Sequence, residues 1–216
     1  MIEPAFTILL GGTLAVTDRL LAAVKGTRVI AADGGMRHAR PLGLTPELWV
    51  GDFDSTDPAL MAQWSGVERQ PYPVQKAATD GEIAIGEAIE RGARSLLLLG
   101  ALGGERSDHA LQHLAHALEL KERGFDVFLS SGEEEAIPLI KGEISIDLPV
   151  GSLFSIVGFT TLDGLTISGA RYPLDGFTLP FGSSRTISNV ATGPVHLALR
   201  AGRGLFLARP QDMTGA

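Results

Sequence analysis

Short apolar runs alternate with helical patterns in the first part of the chain. Five apolar runs predict buried strands, at residues 6–10, 29–32, 48–50, 96–99 and 125–129. Four segments between them predict helices, at residues 18–24, 36–41, 79–91 and 107–123. Because strand–helix alternation is typical of a mostly parallel sheet flanked by helices, an α/β domain is predicted here.

The pattern changes after Gly132. Ile144, Ile146 and Leu148 alternate with polar residues, and further short strands are predicted at 153–157, 165–167, 177–179, 195–199 and 205–208. Glycine, proline, asparagine or aspartate separates most of these runs, and no helical period is evident. We therefore predict a small antiparallel sandwich or barrel, and divide the chain into domains 1–132 and 133–216.

Composition narrows the classes of protein. With 44% hydrophobic residues the chain of 216 residues is an ordinary globular sequence. A formal charge of −7 argues against nucleic acid or an anionic membrane as partner. The absence of cysteine excludes disulfides, thiolate nucleophiles and cysteine-ligated metals. No signal peptide or apolar run of membrane-spanning length is evident, so we expect a cytoplasmic protein.

Five aspartates stand at the edges of apolar runs. They are Asp33, Asp52, Asp54, Asp80 and Asp108. Ligands of open α/β sheets bind beyond the carboxyl ends of the strands, so these carboxylates are expected to converge. Two carboxylates about 4 Å apart repel by roughly 4 kcal/mol at an effective dielectric constant near 20. The pattern therefore predicts a cation of the Mg²⁺ type, with phosphate chemistry.

Each motif also has an ordinary structural interpretation. Asp33-Gly34-Gly35 suits an anion-binding turn or a capped helix start, and the segment 51–55 suits a metal-binding pair or a polar turn. Arg106 is a suitable phosphate ligand, and Lys76 is either a second one or a surface lysine. His109, His113 and His116 recur at helical spacing, which leaves a zinc site as an alternative. Neither a complete GxGxxG nor a Walker loop is present.

Taken in order, the motifs resemble those of the thiamine pyrophosphokinase family. They are Ala-Asp-Gly-Gly at 32–35, Gly-Asp-Phe-Asp-Ser at 51–55, Lys-x-x-Thr-Asp at 76–80, Gly-Gly-x-Arg-x-Asp-His at 103–109, and a segment at 182–189 that ends in Ile-Ser-Asn. The resemblance covers nearly the whole chain. It implies an α/β nucleotide domain, a C-terminal β-sandwich, and a homodimer with thiamine at the subunit interface.

The resemblance also implies an activity and a set of site residues. Such enzymes transfer the terminal pyrophosphoryl unit of ATP to the thiamine hydroxyl and release AMP, with Mg²⁺. The implied metal ligands are Asp33, Asp52, Asp54, Asp80 and Asp108, and the implied catalytic residues are Asp52, Asp54, Asp80, Arg106 and Asp108. The implied ATP-binding residues are Asp33, Gly34, Gly35, Lys76, Thr79 and Arg106. The implied thiamine-binding residues are Tyr172, Ser188 and Asn189.

One departure and two rival functions accompany this resemblance. Ala77 stands where many members are expected to have an acidic residue, which leaves the number of bound metal ions open. The Asp-x-Asp pair at 52–54 also suits a metal-dependent phosphohydrolase or a nucleotide-sugar transferase. However, such a hydrolase carries its nucleophilic aspartate after the first strand, where this chain has Gly11-Gly12. A non-catalytic nucleotide or thiamine sensor is the third hypothesis.

Overall fold

The computed structural model describes residues 5–54, 56–73, 78–104 and 106–214. These residues form two compact units. The first consists of the chain up to Leu111 together with Phe125–Gly132, and the second of Gln112–Gly124 together with the chain from Glu133. The last part of the longest helix therefore groups with the second unit, although the sequence-based division assigned it to the first domain.

The first unit contains a parallel sheet of six strands. Its strands are β1 Ala5–Leu9, β2 Arg28–Ala32, β3 Leu48–Gly51, β4 Glu68–Pro71, β5 Ser95–Leu99 and β6 Asp126–Ser130. The strand order is β6-β5-β1-β2-β3-β4, and every neighbouring pair is parallel. Since all the strands point the same way, their carboxyl ends share one edge of the sheet.

Helices connect these strands. They are α1 Asp18–Ala23, α2 Pro58–Gln63, α3 Asp80–Glu90 and α4 Ser107–Glu122, with a 3₁₀ helix at Asp33–His38. Thr79 caps α3, because its side chain accepts a hydrogen bond from the backbone N of Glu82 at 3.2 Å. After α3 the chain turns at Gly92, whose φ is 90°. The α/β part of the predicted fold class is confirmed.

The short helix predicted at residues 36–41 was wrong in position and type. A 3₁₀ helix begins earlier, at Asp33, so Gly34 and Gly35 belong to the helix and not to a preceding turn. A Cβ on Gly35 would lie 2.1 Å from the carbonyl oxygen of Leu9. This close approach to the end of β1 requires glycine, and hydrophobic periodicity cannot report it.

The order of the strands reverses between β1 and β5. From β1 the chain adds strands on one side up to β4, and then crosses to add β5 and β6 on the other side. Here the backbone N of Gly12 donates to the carbonyl oxygen of Gly100 at 3.0 Å. A Cβ on Gly12 would lie 2.3 Å from that same oxygen. In open α/β sheets, such a switch point is where ligands bind.

The second unit is an antiparallel β-sandwich, which confirms the β part of the predicted fold class. Its strands are β7 Glu135–Leu139, β8 Gly142–Ile146, β9 Leu153–Gly158, β10 Leu162–Ala170, β11 Leu174–Leu179, β12 Asn189–Leu199 and β13 Gly204–Arg209. One sheet has the order β7-β13-β9-β12, and the other has β11-β10-β12 with β8 also on β12. Phe154 and Ile156 from one sheet share an apolar core with Ile167 and Leu197 from the other.

Three elements were not predicted from the sequence. They are α2, β4 and β7, of which β4 is polar and β7 contains Pro138. The signal for α2 was present, because Asp57 accepts a hydrogen bond from the N of Ala59 at 2.8 Å and Pro58 begins the helix. Among the helices in the described ranges, none combines the length and apolar character that a membrane crossing requires.

Candidate active site

The predicted site residues of the first unit follow the ends of its strands. Asp33 follows β2, and Asp52 follows β3. Asp80 is the first residue of α3, and Asp108 lies in the first turn of α4, which follows β5. Lys76 lies outside the described residues, so its predicted role stays a prediction. Because the strands are parallel, the segments that follow them lie at the same end of the sheet.

Asp33 has a left-handed backbone conformation. Its φ is 42°, which costs a residue with a Cβ free energy relative to the ordinary helical region. Burial at this position is intermediate, so the side chain is partly accessible to solvent. The first residue of the 3₁₀ helix therefore carries a partly accessible carboxylate after β2, in a conformation that the neighbouring structure must stabilise.

The end of β3 lies close to Asp33. A Cβ on Gly51 would lie 3.3 Å from the Cα of Asp33, so the two chain segments are close to van der Waals contact. The Oδ1 of Asp52 accepts a hydrogen bond from the backbone N of Asp54 at 3.1 Å. Phe53 between them has a φ of 61°. The segments that carry Asp33 and Asp52 are therefore neighbours at the carboxyl ends of adjacent strands.

Backbone strain coincides with the predicted motifs. Within the described part of the chain, the non-glycine residues with positive φ are Asp33, Phe53 and Ser188. Each lies in a segment that the sequence singled out, namely 32–35, 51–55 and 182–189. Unfavourable backbone conformations of this kind concentrate at functional sites. No periodicity or composition signal could have identified them.

Arg37 and His38 fix the glycine turn after β1. The Arg37 guanidinium donates hydrogen bonds to three carbonyl oxygens, at 3.0 Å to Gly34 and 3.1 Å to Gly12, and also to Gly11. His38 Nε2 lies 2.9 Å from the carbonyl oxygen of Gly12. Burial lowers the pKa of the His38 imidazole, and the hydrogen bond to Gly12 opposes that change. The sequence analysis placed neither Arg37 nor His38 in the candidate site.

Arg106 and Asp108 bind each other. Arg106 Nε donates to Asp108 Oδ1 at 3.0 Å, and Nη2 donates to Oδ2 at 2.7 Å. Both side chains are exposed, at 67% and 65%. The guanidinium holds the pKa of the Asp108 carboxyl well below its usual range. This pair orients the planar donor group of Arg106 at the start of α4, where an incoming phosphate could compete with Asp108 for it.

The donor set suits a hard divalent cation. Carboxylates of Asp33, Asp52 and Asp54 lie on two adjoining segments, and Mg²⁺ prefers oxygen ligands of this kind. In the described residues, no group of three or more His, Asp or Glu side chains is arranged to hold a metal ion. Mg²⁺ commonly uses one or two protein carboxylates, with water and substrate phosphate completing its shell. A two-segment carboxylate site therefore fits Mg²⁺, whereas the histidine-based zinc alternative gains no support.

In the second unit, Asn189 holds the backbone of Tyr172. The Oδ1 of Asn189 accepts from the N of Tyr172 at 3.0 Å and from the N of Val190 at 2.9 Å, and its Nδ2 donates to the carbonyl oxygen of Tyr172 at 2.9 Å. Asn189 is 3% exposed, whereas Tyr172 is 60% exposed. Ser188 is also exposed, and its backbone N donates to Ser155 Oγ at 3.0 Å. The structure thus brings these three predicted residues together.

Comparisons with known proteins identify relatives of both units. The family model described as "Thiamin pyrophosphokinase, catalytic domain" matches residues 21–129, which is just over half of the chain. The model described as "Thiamin pyrophosphokinase, vitamin B1 binding domain" matches residues 142–202. A thiamine pyrophosphokinase of Bacillus subtilis is 25% identical over 164 residues, which cover 74% of this chain and 76% of that protein.

Solved structures share the fold. The crystal structure of thiamine pyrophosphokinase from Bacillus subtilis superimposes with a TM-score of 0.85 at 22% identity, covering 96% of this chain and 99% of that one. Thiamin pyrophosphokinase from Candida albicans gives a TM-score of 0.77 at 16% identity, covering 95% and 90%. At these identities the superpositions establish the architecture, and the family models carry the assignment.

Proposed function

The chain belongs to the thiamin pyrophosphokinase family and is a thiamine diphosphokinase, and we propose that it transfers the terminal pyrophosphoryl group of ATP to the hydroxyl of thiamine with Mg²⁺. The products are thiamine diphosphate and AMP. Membership of the family supports thiamine as acceptor, and the site chemistry of the first unit supports a metal–nucleotide donor. We also propose that the enzyme works in the cytoplasm, as the sequence predicts.

One observation carries the proposal for the donor side. Asp33 and Gly51 adjoin at the ends of neighbouring parallel strands, because a Cβ added to Gly51 would lie 3.3 Å from the Cα of Asp33. Asp33 and Asp52 are partly exposed and Asp54 is exposed. Carboxylates on adjoining segments repel each other, and a cation bound between them offsets that repulsion. Asp33, Asp52 and Asp54 are therefore our first candidates for metal ligands, with Asp80 and Asp108 as further candidates from the resemblance.

The ATP phosphates would bind magnesium and Arg106 at the carboxyl ends of the parallel strands. Magnesium, when bound, offsets negative charge on the phosphate oxygens. Arg106 is exposed and forms a bidentate pair with Asp108, so its donors are oriented before substrate arrives. Gly34, Gly35, Thr79 and Lys76 remain proposed nucleotide contacts. Asp108 would then act by positioning Arg106 as much as by binding metal.

Thiamine would lie against the exposed ring of Tyr172. An aromatic face suits the positively charged thiazolium ring. Asn189 is buried and its amide is engaged with the backbone of Tyr172, so we propose that it positions Tyr172, while Ser188 is free to contact thiamine directly. We propose a homodimer with thiamine at the subunit interface, consistent with exposed apolar residues in this region.

The transfer requires an in-line displacement at the β-phosphorus of ATP. The thiamine oxygen forms the new P–O bond, and the bond to the oxygen that bridges the α- and β-phosphorus breaks, so that AMP leaves. A carboxylate accepts the proton of the attacking hydroxyl, and Asp54 and Asp80 are the candidates for that role. The bound positions of both substrates provide the orientation on which most of the rate depends.

One incubation tests the proposal against its two rivals. The protein is mixed with ATP, Mg²⁺ and thiamine, and nucleotides and thiamine esters are separated by chromatography. Equal amounts of AMP and thiamine diphosphate support the proposal. Release of phosphate in a parallel incubation that lacks thiamine would instead indicate a phosphohydrolase. Saturable binding of ATP or thiamine without any product would indicate a sensor.

A further inference from the structure

Trp49 contacts both segments that carry the candidate metal ligands, namely Asp33 and the segment Asp52–Asp54. It is fully buried in β3, where it pairs in register with Ala31 of β2. Its ring belongs to an apolar cluster with Leu9 and Met36, against which Phe53 also packs. A residue in this position is usually explained by core packing alone. Two specific contacts of the indole go beyond that explanation.

Each contact reaches a different segment. The indole Nε1 donates a hydrogen bond to the carbonyl oxygen of Asp33 at 2.9 Å. The ring also packs edge-to-face with Phe53, with centroids 5.1 Å apart and planes at 86°. The side chain of Trp49 therefore contacts Asp33, at the start of the 3₁₀ helix, through its N–H group, and Phe53, between Asp52 and Asp54, through its ring.

Both contacted residues have strained backbones. Asp33 has a φ of 42° and Phe53 a φ of 61°, and neither is glycine. Such conformations persist only where surrounding contacts stabilise them. A bulky aromatic residue at positive φ is a particularly unfavourable case. The indole contacts are therefore placed to maintain both turns, and with them the separation of the carboxylates of Asp33 and Asp52.

We propose that Trp49 is a positioning residue for the metal site, which sets the spacing of the Asp33 and Asp52 carboxylates without contacting metal or substrate. The proposal rests on the proposed function, because it assumes that these carboxylates bind a divalent cation. A purely structural role for Trp49 would affect folding stability alone. A positioning role also affects the affinity of the folded protein for the cation.

The test compares Trp49→Phe with Trp64→Phe. The chain has two tryptophans, and Trp64 packs against the same apolar cluster. The indole N–H of Trp64 has no hydrogen-bond partner among the residues that the structure describes. Both substitutions thus remove an indole from the same cluster, but only the first removes the hydrogen bond to Asp33.

Mn²⁺ binding is measured by electron paramagnetic resonance on the full chain, without nucleotide or thiamine. We expect Trp49→Phe to weaken Mn²⁺ binding about fivefold, as the loss of one hydrogen bond predicts. Trp64→Phe should bind Mn²⁺ as the wild type does. In turnover assays, Trp49→Phe should lower kcat and leave the KM for thiamine unchanged. Wild-type Mn²⁺ affinity and kcat in Trp49→Phe would overturn the proposal.

A second variant covers the possibility that Trp49→Phe does not fold. Phe53→Leu removes the edge-to-face contact at a partly buried position and should also weaken Mn²⁺ binding. Unchanged binding in this variant would count against the proposal. If the wild type binds Mn²⁺ and forms thiamine diphosphate, and both variants have the same Mn²⁺ affinity and turnover, only the positioning role is refuted. A wild type with neither property would refute the proposed function itself.

Discussion

Asp52 is the side chain whose replacement tests the candidate active site most directly. Asp52→Asn keeps the oxygen that accepts the hydrogen bond from the N of Asp54, but removes the charge. We expect turnover to fall by about a hundredfold or more, because electrostatic groups at reacting centres contribute effects of this size. The free energy of unfolding should change by less than about 0.5 kcal/mol, as for other accessible polar substitutions. Steady-state assays and urea titrations measure the two quantities.

Asp18→Asn is the matched control for that substitution. Asp18 is also an aspartate of the first unit, and it is exposed in the first turn of α1. Its replacement should leave turnover unchanged. Equal activity in the Asp52 and Asp18 variants would reject the role proposed for Asp52.

His38 makes folding stability depend on pH. Burial lowers the pKa of His38 in the folded state below the unfolded value of about 6.5. The unfolded state therefore binds the proton more readily than the folded state. The free energy of unfolding is thus unaffected by His38 above about pH 6.5, where the imidazole is neutral in both states, and it falls as the pH drops below that value. Urea unfolding between about pH 5 and 8 should show the decline, and His38→Gln should reduce it because glutamine stays neutral.

The exposed His196 provides the comparison for His38. His196→Gln should leave the pH dependence of unfolding as it is in the wild type. If His38→Gln and the wild type show the same dependence, then the buried imidazole is not its source.

The glycine turn after β1 gives a test of how tightly the connecting segments pack. A Cβ on Gly12 would lie 2.3 Å from the carbonyl oxygen of Gly100, whereas a Cβ on Gly11 would meet nothing within 4 Å. We expect Gly12→Ala to lower the free energy of unfolding by about 1–3 kcal/mol, because the turns after β1 and β5 must separate. Gly11→Ala should change it by less than about 0.5 kcal/mol. Similar values for the two variants in urea titrations would contradict this account.

Sequence patterns predicted the strands that bury continuous apolar runs, and missed two strands whose pattern is polar or interrupted. The runs in β1, β2, β3 and β5 are continuous and buried, so their periodicity identified them. The strand β4 was missed because it is polar and exposed, and β7 because Pro138 interrupts its pattern. A polar strand, or one whose apolar run is interrupted by proline, leaves little trace in the sequence.

The candidate site was predictable as chemistry but not as geometry. The aspartates and Arg106 stood out because charged residues lay in the segments that follow or border apolar runs. The left-handed backbones of Asp33 and Phe53 did not, since nothing in their residue types requires positive φ. The contacts of Trp49 also escaped prediction, because the residue sits within an apolar strand and looks like ordinary core. Long-range contacts of this kind become visible only in three dimensions.

At the scale of the whole molecule, we predict that two copies of the chain form a homodimer. Several apolar side chains of the second unit are exposed, at 60% for Tyr172, 70% for Phe181 and 45% for Ile187. We expect light scattering after gel filtration to give twice the chain mass of 22.8 kDa. Phe181→Asp should shift the mass toward that of one chain, because a charge in an apolar interface is left unpaired.

Val150→Asp is the control for the assembly experiment. Val150 is also 70% exposed in the second unit, but lies outside the segments with the thiamine-site residues. Its substitution should leave the mass unchanged. A wild-type protein that elutes with the mass of one chain would refute the homodimer.

The strand β4 has a consequence for behaviour in crowded solution. It forms the border of the parallel sheet, where its sequence Glu68-Arg69-Gln70-Pro71 offers two charges and a proline in place of apolar groups. Open borders of sheets invite strands from other molecules, and charge and proline discourage such additions. We therefore expect the polarity that concealed β4 from sequence analysis to discourage strands of other molecules from pairing with this edge.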